Sequence, residues 1–486
     1  MSTQRSFTSP TGLAGLAMVV LLTGCAVGPD YKRPDVPLPA TYPDAAGAGA
    51  VGTEQGKLAA DWWTLYNDAT LNDLVAGALQ NNTDLHRAVA QIDEAQAVLD
   101  EASSTLFPEI DLGASSSRSR ISSLNAQPLF SGQPQISTTN RLALSTSFEL
   151  DFWGKLRRAS QAARAQVLSS HYARDVIALS VAGTTAQSYF TLRALDAQIA
   201  VTRDILKSRD ESLAVIKDRA AGGLASELDV NQAQVARADA SLQLLDLQRQ
   251  RAIMEHQLGL LTGKLDLKVA TATGDVMTLP MPSLPPVGLP STLLQRRPDV
   301  QQAEQTLIAA NAEIGVSRAS QFPTFSLTGD FGGQSAKLSN ILKSGARIWS
   351  VGLNGLMPIF DAGKYAARTR QAEAVQRQAI AGYEKTVQAA FKDVADALTN
   401  VEQTNAAATD IQSKVEAARN VLRLSQLRYD AGYSAYLDVL DAQRTANSAE
   451  LALVQNRQLQ LIYSVDLMKA LGGGWSANQA APMAQR

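Results

Sequence analysis

The sequence is poor in the residues that usually carry chemistry. It holds three histidines, His86, His171 and His256, scattered and at no metal-ligand spacing. No glycine-rich phosphate loop, nucleophile elbow or paired catalytic motif occurs, so the residues give no support to an enzyme. Positive charge is not in excess either: 44 Lys and Arg stand against 46 Asp and Glu, and no basic stripe forms. That balance excludes the electrostatic footprint of a nucleic-acid partner. Aromatic residues make up only 6% of the chain, while alanine and glutamine abound, which favours long helices over one large core. No apolar run reaches the roughly 20 residues that a membrane-spanning helix needs.

The longest apolar run near the start, residues 13–22, follows a single charge, Arg5, and has the length of a signal-peptide core. It ends in Leu22-Thr23-Gly24-Cys25, which resembles a bacterial lipobox and contains the only cysteine of the chain. Residues 1–24 are accordingly expected to be a lipoprotein signal peptide, with Cys25 acylated and anchored through hydrocarbon burial at roughly 0.8 kcal/mol per CH₂. Residues 25–60 carry prolines at 29, 34, 37, 39 and 43 and then a Gly/Ala-rich stretch, the composition of an extended tether. The Asp61-Trp62-Trp63 run opens the ordered body, which ends at residue 475 before a polar tail, 476–486.

Within that body the sequence repeats itself. Leu228-Asp229-Val230 recurs as Leu437-Asp438-Val439, an offset of about 209 residues. Each half, 61–288 and 289–475, reads as helix, two strands, long helix, glycine break and return helix. In the first half the pattern predicts a helix over 71–107, strands over 109–120 and 141–151, and helices over 154–221 and 224–262. The linker 263–288 follows. In the second half it predicts a helix over 289–322, strands over 324–332 and 347–357, and helices over 363–431 and 434–471. The hairpin tips fall at Gly222 and Gly223 and at Gly432.

The strands alternate with one face almost wholly apolar: Leu142, Leu144, Thr146, Phe148 and Leu150 in one, Trp349, Val351 and Leu353 in another. That is the pattern of lipid-facing barrel strands. Four such strands do not close a barrel, so several copies around an axis are required. The first long helix carries a seam of Leu192, Leu195, Ile199, Leu206, Leu213 and Ile216, broken by Thr202 and Arg209. Leu228, Val235, Ala238, Leu242 and Leu245 are offered by the return helix, predicting an antiparallel coiled coil. Each long helix should reach roughly 100 Å at 1.5 Å per residue.

Several motifs coincide with a known family. They are the lipobox leading into Gly28-Pro-Asp-Tyr31, Trp62-Trp63, Leu294-Gln-Arg-Arg-Pro-Asp299, Phe322-Pro323, Pro358-Ile-Phe-Asp-Ala-Gly363, Leu440-Asp-Ala-Gln443 and Lys469-Ala-Leu-Gly-Gly-Gly-Trp475. Together they resemble the TolC-like outer-membrane factor family, in its lipoprotein efflux (OprM/NodT-like) branch. The resemblance implies a mainly α fold with a membrane β-barrel: a homotrimer forming a 12-stranded barrel in the outer membrane, on a periplasmic α-helical tunnel. It implies passive export of small molecules such as drugs, with a periplasmic adaptor and an inner-membrane pump of the resistance-nodulation-division type as partners. No cofactor is implied beyond the lipid on Cys25. A duct for type I protein secretion shares the fold and is the alternative; a fibrous coiled-coil protein would not need the strand pairs.

By the same resemblance the hairpin tips form a gate. Asp438 and Asp441 match acidic positions, and their i, i+3 spacing puts both on one helix face. Against that stands a plainer role, acids near a helix start favoured by the dipole, which Asp229, the repeat partner of Asp438, fits well. Arg428 and Tyr429 match residues that lock neighbouring tips; Leu437 offers either an apolar constriction or a packing contact. Ser434 stands where some relatives carry a locking arginine.

Overall fold

Two stretches of 67 residues contain no proline and one glycine each, and both are unbroken helices in the computed structural model: Lys155–Ala221 and Lys364–Asp430. The structure describes residues 26–42, 59–122, 134–270, 276–282, 291 and 293–475. The signal peptide, Cys25 and the polar tail lie outside them, as do parts of the tether, of the first strand-connecting loop and of the mid-chain linker. In chain order the helices are α1 (Ala69–Asn81), α2 (Thr83–Ser104), α3 (Lys155–Ala221), α4 (Glu227–Thr262), α5 (Pro298–Ala319), α6 (Lys364–Asp430) and α7 (Tyr436–Ala470). The strands are β1 (Glu109–Arg120), β2 (Ile136–Leu150), β3 (Thr324–Ser335) and β4 (Arg347–Leu356). Among the described residues, no helix is long and apolar enough to cross a membrane.

The chain divides into two compact units. One takes the chain up to Pro34 with Ile92–Ser170 and Ala303–Tyr383; the other takes Asp35–Gln91, His171–Gln302 and the chain from Glu384. Each unit draws on both sequence repeats.

In the first unit the four strands form one antiparallel sheet in the order β1-β2-β3-β4, leaving β1 and β4 as edges. Its register aligns an apolar row across all four strands, Leu112–Leu144–Phe331–Trp349. The row beside it, on the opposite face, is Asp111–Ser145–Asp330–Ser350. Successive residues of a strand point to opposite faces, so the sheet is apolar on one side and polar on the other. The apolar side is uncovered: Trp349 and Val351 are each 74% exposed. On the polar side Arg141 donates to the Asp330 carboxylate at 2.8 Å.

Also in this unit, an N-terminal strap runs from Ala26 to Pro34. Val27 N donates to Trp153 O at 2.9 Å, Asn311 Nδ2 to Pro29 O at 2.9 Å, and Arg158 Nη2 to Asp30 Oδ1 at 2.7 Å. Tyr31 and Arg33 both donate to Glu304, at 3.0 and 2.7 Å. Burial and the Glu304 carboxylate push the Tyr31 phenol up, which keeps it a donor.

The second unit holds the main core. Trp62 and Tyr66, both fully buried, pack with Leu71 and Val75 of α1, Phe190 of α3, Leu258 of α4 and Val465 of α7. Tyr66 Oη and Ser464 Oγ are hydrogen-bonded at 2.6 Å, so the buried phenol is satisfied. The hairpin seams are thinner: Leu195, Ile199 and Leu247 between α3 and α4, and Val415, Ala418, Ala446 and Ala449 between α6 and α7.

The structure corrects several expectations. The helix read over 71–107 breaks at Asn82, whose backbone is extended and whose Oδ1 accepts from Asp84 N at 2.9 Å, starting a new helix. The helix read over 289–322 is a single turn, Leu293–Arg296, followed by α5, because Pro298 restricts Arg297 and takes the first helical position itself. β2 begins five residues earlier than its apolar alternation, at Ile136, on hydroxyl pairs such as Ser119–Ser137 at 3.0 Å. β3 continues through Gly332, where a Cβ would lie 2.2 Å from Leu142 O, so the glycine permits the close pairing of strands. Finally, the return-helix stripe faces outward. Leu228, Val235, Leu242 and Leu245 are 56–65% exposed, and Ala238 is exposed with them. The buried positions along this part of α4 are instead Ala233, Ala236, Ala240 and Leu247.

Candidate functional site

The two hairpin tips come together in the second unit. Both long helices end in the same motif: Leu224 N donates to Arg219 O at 2.7 Å and Gly223 N to Ala220 O at 3.0 Å. The second tip repeats this with Tyr433 N to Arg428 O at 2.8 Å and Gly432 N to Tyr429 O at 3.0 Å. Such a helix end needs a left-handed residue, and Gly223 (φ +74°) and Gly432 (φ +78°) supply it. Gly222 does not have a positive φ, so of the three tip glycines it is the one without that conformational task.

The return helices begin differently. Ser226 caps α4 in a reciprocal box: Asp229 N donates to Ser226 Oγ at 3.2 Å, and Ser226 N to Asp229 Oδ2 at 3.0 Å. Asp229 is thereby a capping residue. In α7 the equivalent cap position is Ala435, which has no side-chain oxygen to offer. Asp438 therefore lacks the partner that fixes Asp229, and it is exposed. Asp441 is exposed on the same face, beside Leu437, which is 54% exposed. Neither carboxylate makes an ion pair or a side-chain hydrogen bond among the described residues. The opposite face of α7 buries Tyr436, Val439 and Leu440 against Ile216, Ala233 and Ala236 of the first hairpin.

Tyr429 packs on Tyr436 with ring centroids 5.5 Å apart. Above it lies the Arg219 guanidinium, 5.1 Å from the ring centroid, and Arg219 also pairs with Asp430 at 3.2 Å. Within one chain, then, the arginine engaging Tyr429 is Arg219 of the first hairpin. Arg428 is exposed and has no partner among the described residues. Arg219 is the counterpart of Arg428 at the repeat offset, and nothing in that offset says which of the two would reach across. Ser434 Oγ is buried and unpaired.

No group of histidine, cysteine, aspartate and glutamate among the described residues could hold a metal ion. What the tip can do is electrostatic: it presents two uncompensated carboxylates on a surface whose backing is held by a pair of tilted rings and one ion pair.

A family model described as outer membrane efflux protein matches the chain over residues 74–264 and 289–473. The solvent efflux pump outer membrane protein SrpC of Pseudomonas putida is 35% identical over 466 residues, covering 95% of this chain and 98% of its own. Outer membrane protein OprJ of Pseudomonas aeruginosa is 33% identical over 481 residues, covering 96% and 97%. Among solved structures, the Campylobacter jejuni CmeC outer membrane channel superposes with a TM-score of 0.86 at 26% identity, over 93% of this chain and 96% of that one. The outer-membrane channel OprN gives 0.85 at 30% identity, over 93% and 100%.

Proposed function

The chain belongs to the outer membrane efflux protein family, and from that premise we propose that three copies close into one outer-membrane duct, the exit of a tripartite efflux pump. The sheet carries this reading. It is apolar on one side and ends in two open edges, and hydrocarbon does not tolerate unpaired strand edges. Three chains of four strands make an even-numbered barrel of a size that bacterial outer membranes use. The uncovered stripe of Leu228, Val235, Leu242 and Leu245 supports the same assembly, since a neighbouring copy would bury it.

The duct itself is passive. A periplasmic adaptor and an inner-membrane pump, of the resistance-nodulation-division type, supply selection and energy. Relatives named for pumping solvents, toluene and antibiotics favour small molecules over secreted proteins as the cargo. Cys25 carries the lipid that tethers the N-terminus to the same membrane. Full-length protein purified in detergent is expected to be a trimer by light scattering, to conduct ions after reconstitution, and to show an acylated N-terminal cysteine by mass spectrometry. A stable monomer without conductance would end the proposal; an unmodified N-terminus would remove the anchor alone.

We further assign the gate to the second hairpin tip. In a trimer Asp438 and Asp441 would form stacked acidic rings that repel one another and that multivalent cations would bridge. Arg219 and Tyr429 brace the hairpin behind them, Leu437 borders the acidic face, and Arg428 is free to reach a neighbouring chain. Replacing both acids, Asp438→Ala with Asp441→Ala, is expected to weaken block of single-channel current by multivalent cations about tenfold, ~1.4 kcal/mol. Block of unchanged strength would take the acids out of the gate.

A further inference from the structure

The seam of α3 holds a charged residue where its period calls for an apolar one. Arg209 is only 5% exposed, and its Nη1 is enclosed without an acceptor. A guanidinium has five N–H donors and no acceptor capacity. Largely buried without a counter-charge, it is disfavoured. No carboxylate answers it: burial pulls its pKa below the ordinary arginine value, opposed by the Tyr436 phenol and reinforced by a second arginine, Arg444.

Arg209 lines an open groove of about 470 Å³ between α3, α4 and α7, and Arg444 lines it too. Gln243, Asn447 and Ser448 add amide and hydroxyl donors to the lining. Asp239 is the one acid in it, and it lies in ion-pair contact with neither arginine among the described residues. The Tyr436 phenol, which the Arg209 charge reaches, is a further buried group with no partner. The groove therefore sets two guanidiniums, brought in from different hairpins, against the single carboxylate of Asp239.

We infer that this groove binds a small oxyanion, a phosphate or a carboxylate, between Arg209 of the first hairpin and Arg444 of the second. The forked donors of arginine match both anions bidentately. A bound anion satisfies the buried guanidinium and ties α7 to α3 just behind the tip. This site is independent of the acidic face of α7 and stands or falls separately from the gate.

Calorimetric titration of the detergent-purified, full-length protein with sodium phosphate, and separately with sodium acetate, tests the inference. Sodium chloride at equal ionic strength is the control for screening. Saturable binding of phosphate, acetate or both is expected in the wild type, and the tighter of the two identifies the anion class. Arg209→Gln and Arg444→Gln should each weaken it at least tenfold, whereas Arg423→Gln, an exposed arginine on α6, should leave it unchanged. Should Arg209→Gln not fold, Arg444→Gln at its exposed position carries the test alone. Heats no different from those of chloride, or binding retained in Arg444→Gln, would overturn the site.

Discussion

An arginine at Leu144 is expected to abolish accumulation of the protein in the outer membrane, while an arginine at the adjacent Ser145 leaves it in place. Leu144 sits in mid-strand within the row Leu112–Leu144–Phe331–Trp349, on the apolar side of the sheet. A cationic side chain facing lipid near the bilayer midplane costs roughly 2–4 kcal/mol, and a trimer bears that cost three times. The total is comparable to the whole stability of an ordinary domain. Ser145 lies between Asp111 and Asp330 on the polar side, so an arginine there meets two carboxylates. Outer-membrane fractionation and the yield of SDS-resistant trimer distinguish the two variants. Equal loss in both would mean that the sheet's two sides are not divided between lipid and lumen.

The second large effect is expected at the strap. Gly28 has φ +114°, and a Cβ there would lie 2.6 Å from Gly315 Cα; a Cβ on Gly315 would lie 2.9 Å from both Val27 O and Arg158 Cγ. Two backbones thus touch where neither has room for a side chain. Gly315→Val should lift the strap from α5 and forfeit the bonds from Val27, Asn311, Arg158, Tyr31 and Arg33 together. With ordinary hydrogen bonds contributing about 1 kcal/mol and charged ones somewhat more, a loss of roughly 3 kcal/mol or greater follows. Limited proteolysis should then cut within residues 26–34, and the melting temperature should fall by several degrees. Gly382→Ala is the control: nothing lies within 4 Å of its Cβ position, and alanine in a helix interior stabilises by roughly 0.5–1 kcal/mol. A strap that resists the protease in Gly315→Val would show that its contacts are incidental.

Much of this architecture is legible in the residues because its signals are long. A proline-free run of 67 residues, met twice at a fixed offset, leaves little choice but helix. Strict alternation from Leu142 to Leu150 likewise specifies a strand and its faces. The failures occur where short polar signals decide. Asn82 ends one helix and opens another through a single side-chain oxygen, and hydropathy is blind to that bond. Residues 137–140 extend β2 through backbone pairing and hydroxyl contacts, with no apolar residue to betray them. The stripe on α4 departs from expectation for a different reason. Periodicity reveals that Leu228, Val235, Leu242 and Leu245 share a face but not what that face meets, and the closer hairpin contact goes to alanines that let helices approach.

The tip was legible in outline only. Its glycines and acids stand out in the sequence, yet the contrast between Asp229 and Asp438 turns on the cap position. Serine at 226 makes Asp229 a structural cap, and alanine at 435 leaves Asp438 without one. Likewise the tilted contact of Tyr429 with Tyr436 under Arg219 joins residues from two hairpins, a proximity no local pattern encodes.

The open strand edges and the bare leucine row of α4 bear on the life of the polypeptide before it matures. A newly exported copy would meet water with both features unshielded, each an invitation to stick to the wrong neighbour. Its most hazardous interval is therefore transit, before its sisters cover the same surfaces. Abundance at the cell surface would then be governed by how quickly copies find each other, more than by how firmly the finished article resists unfolding.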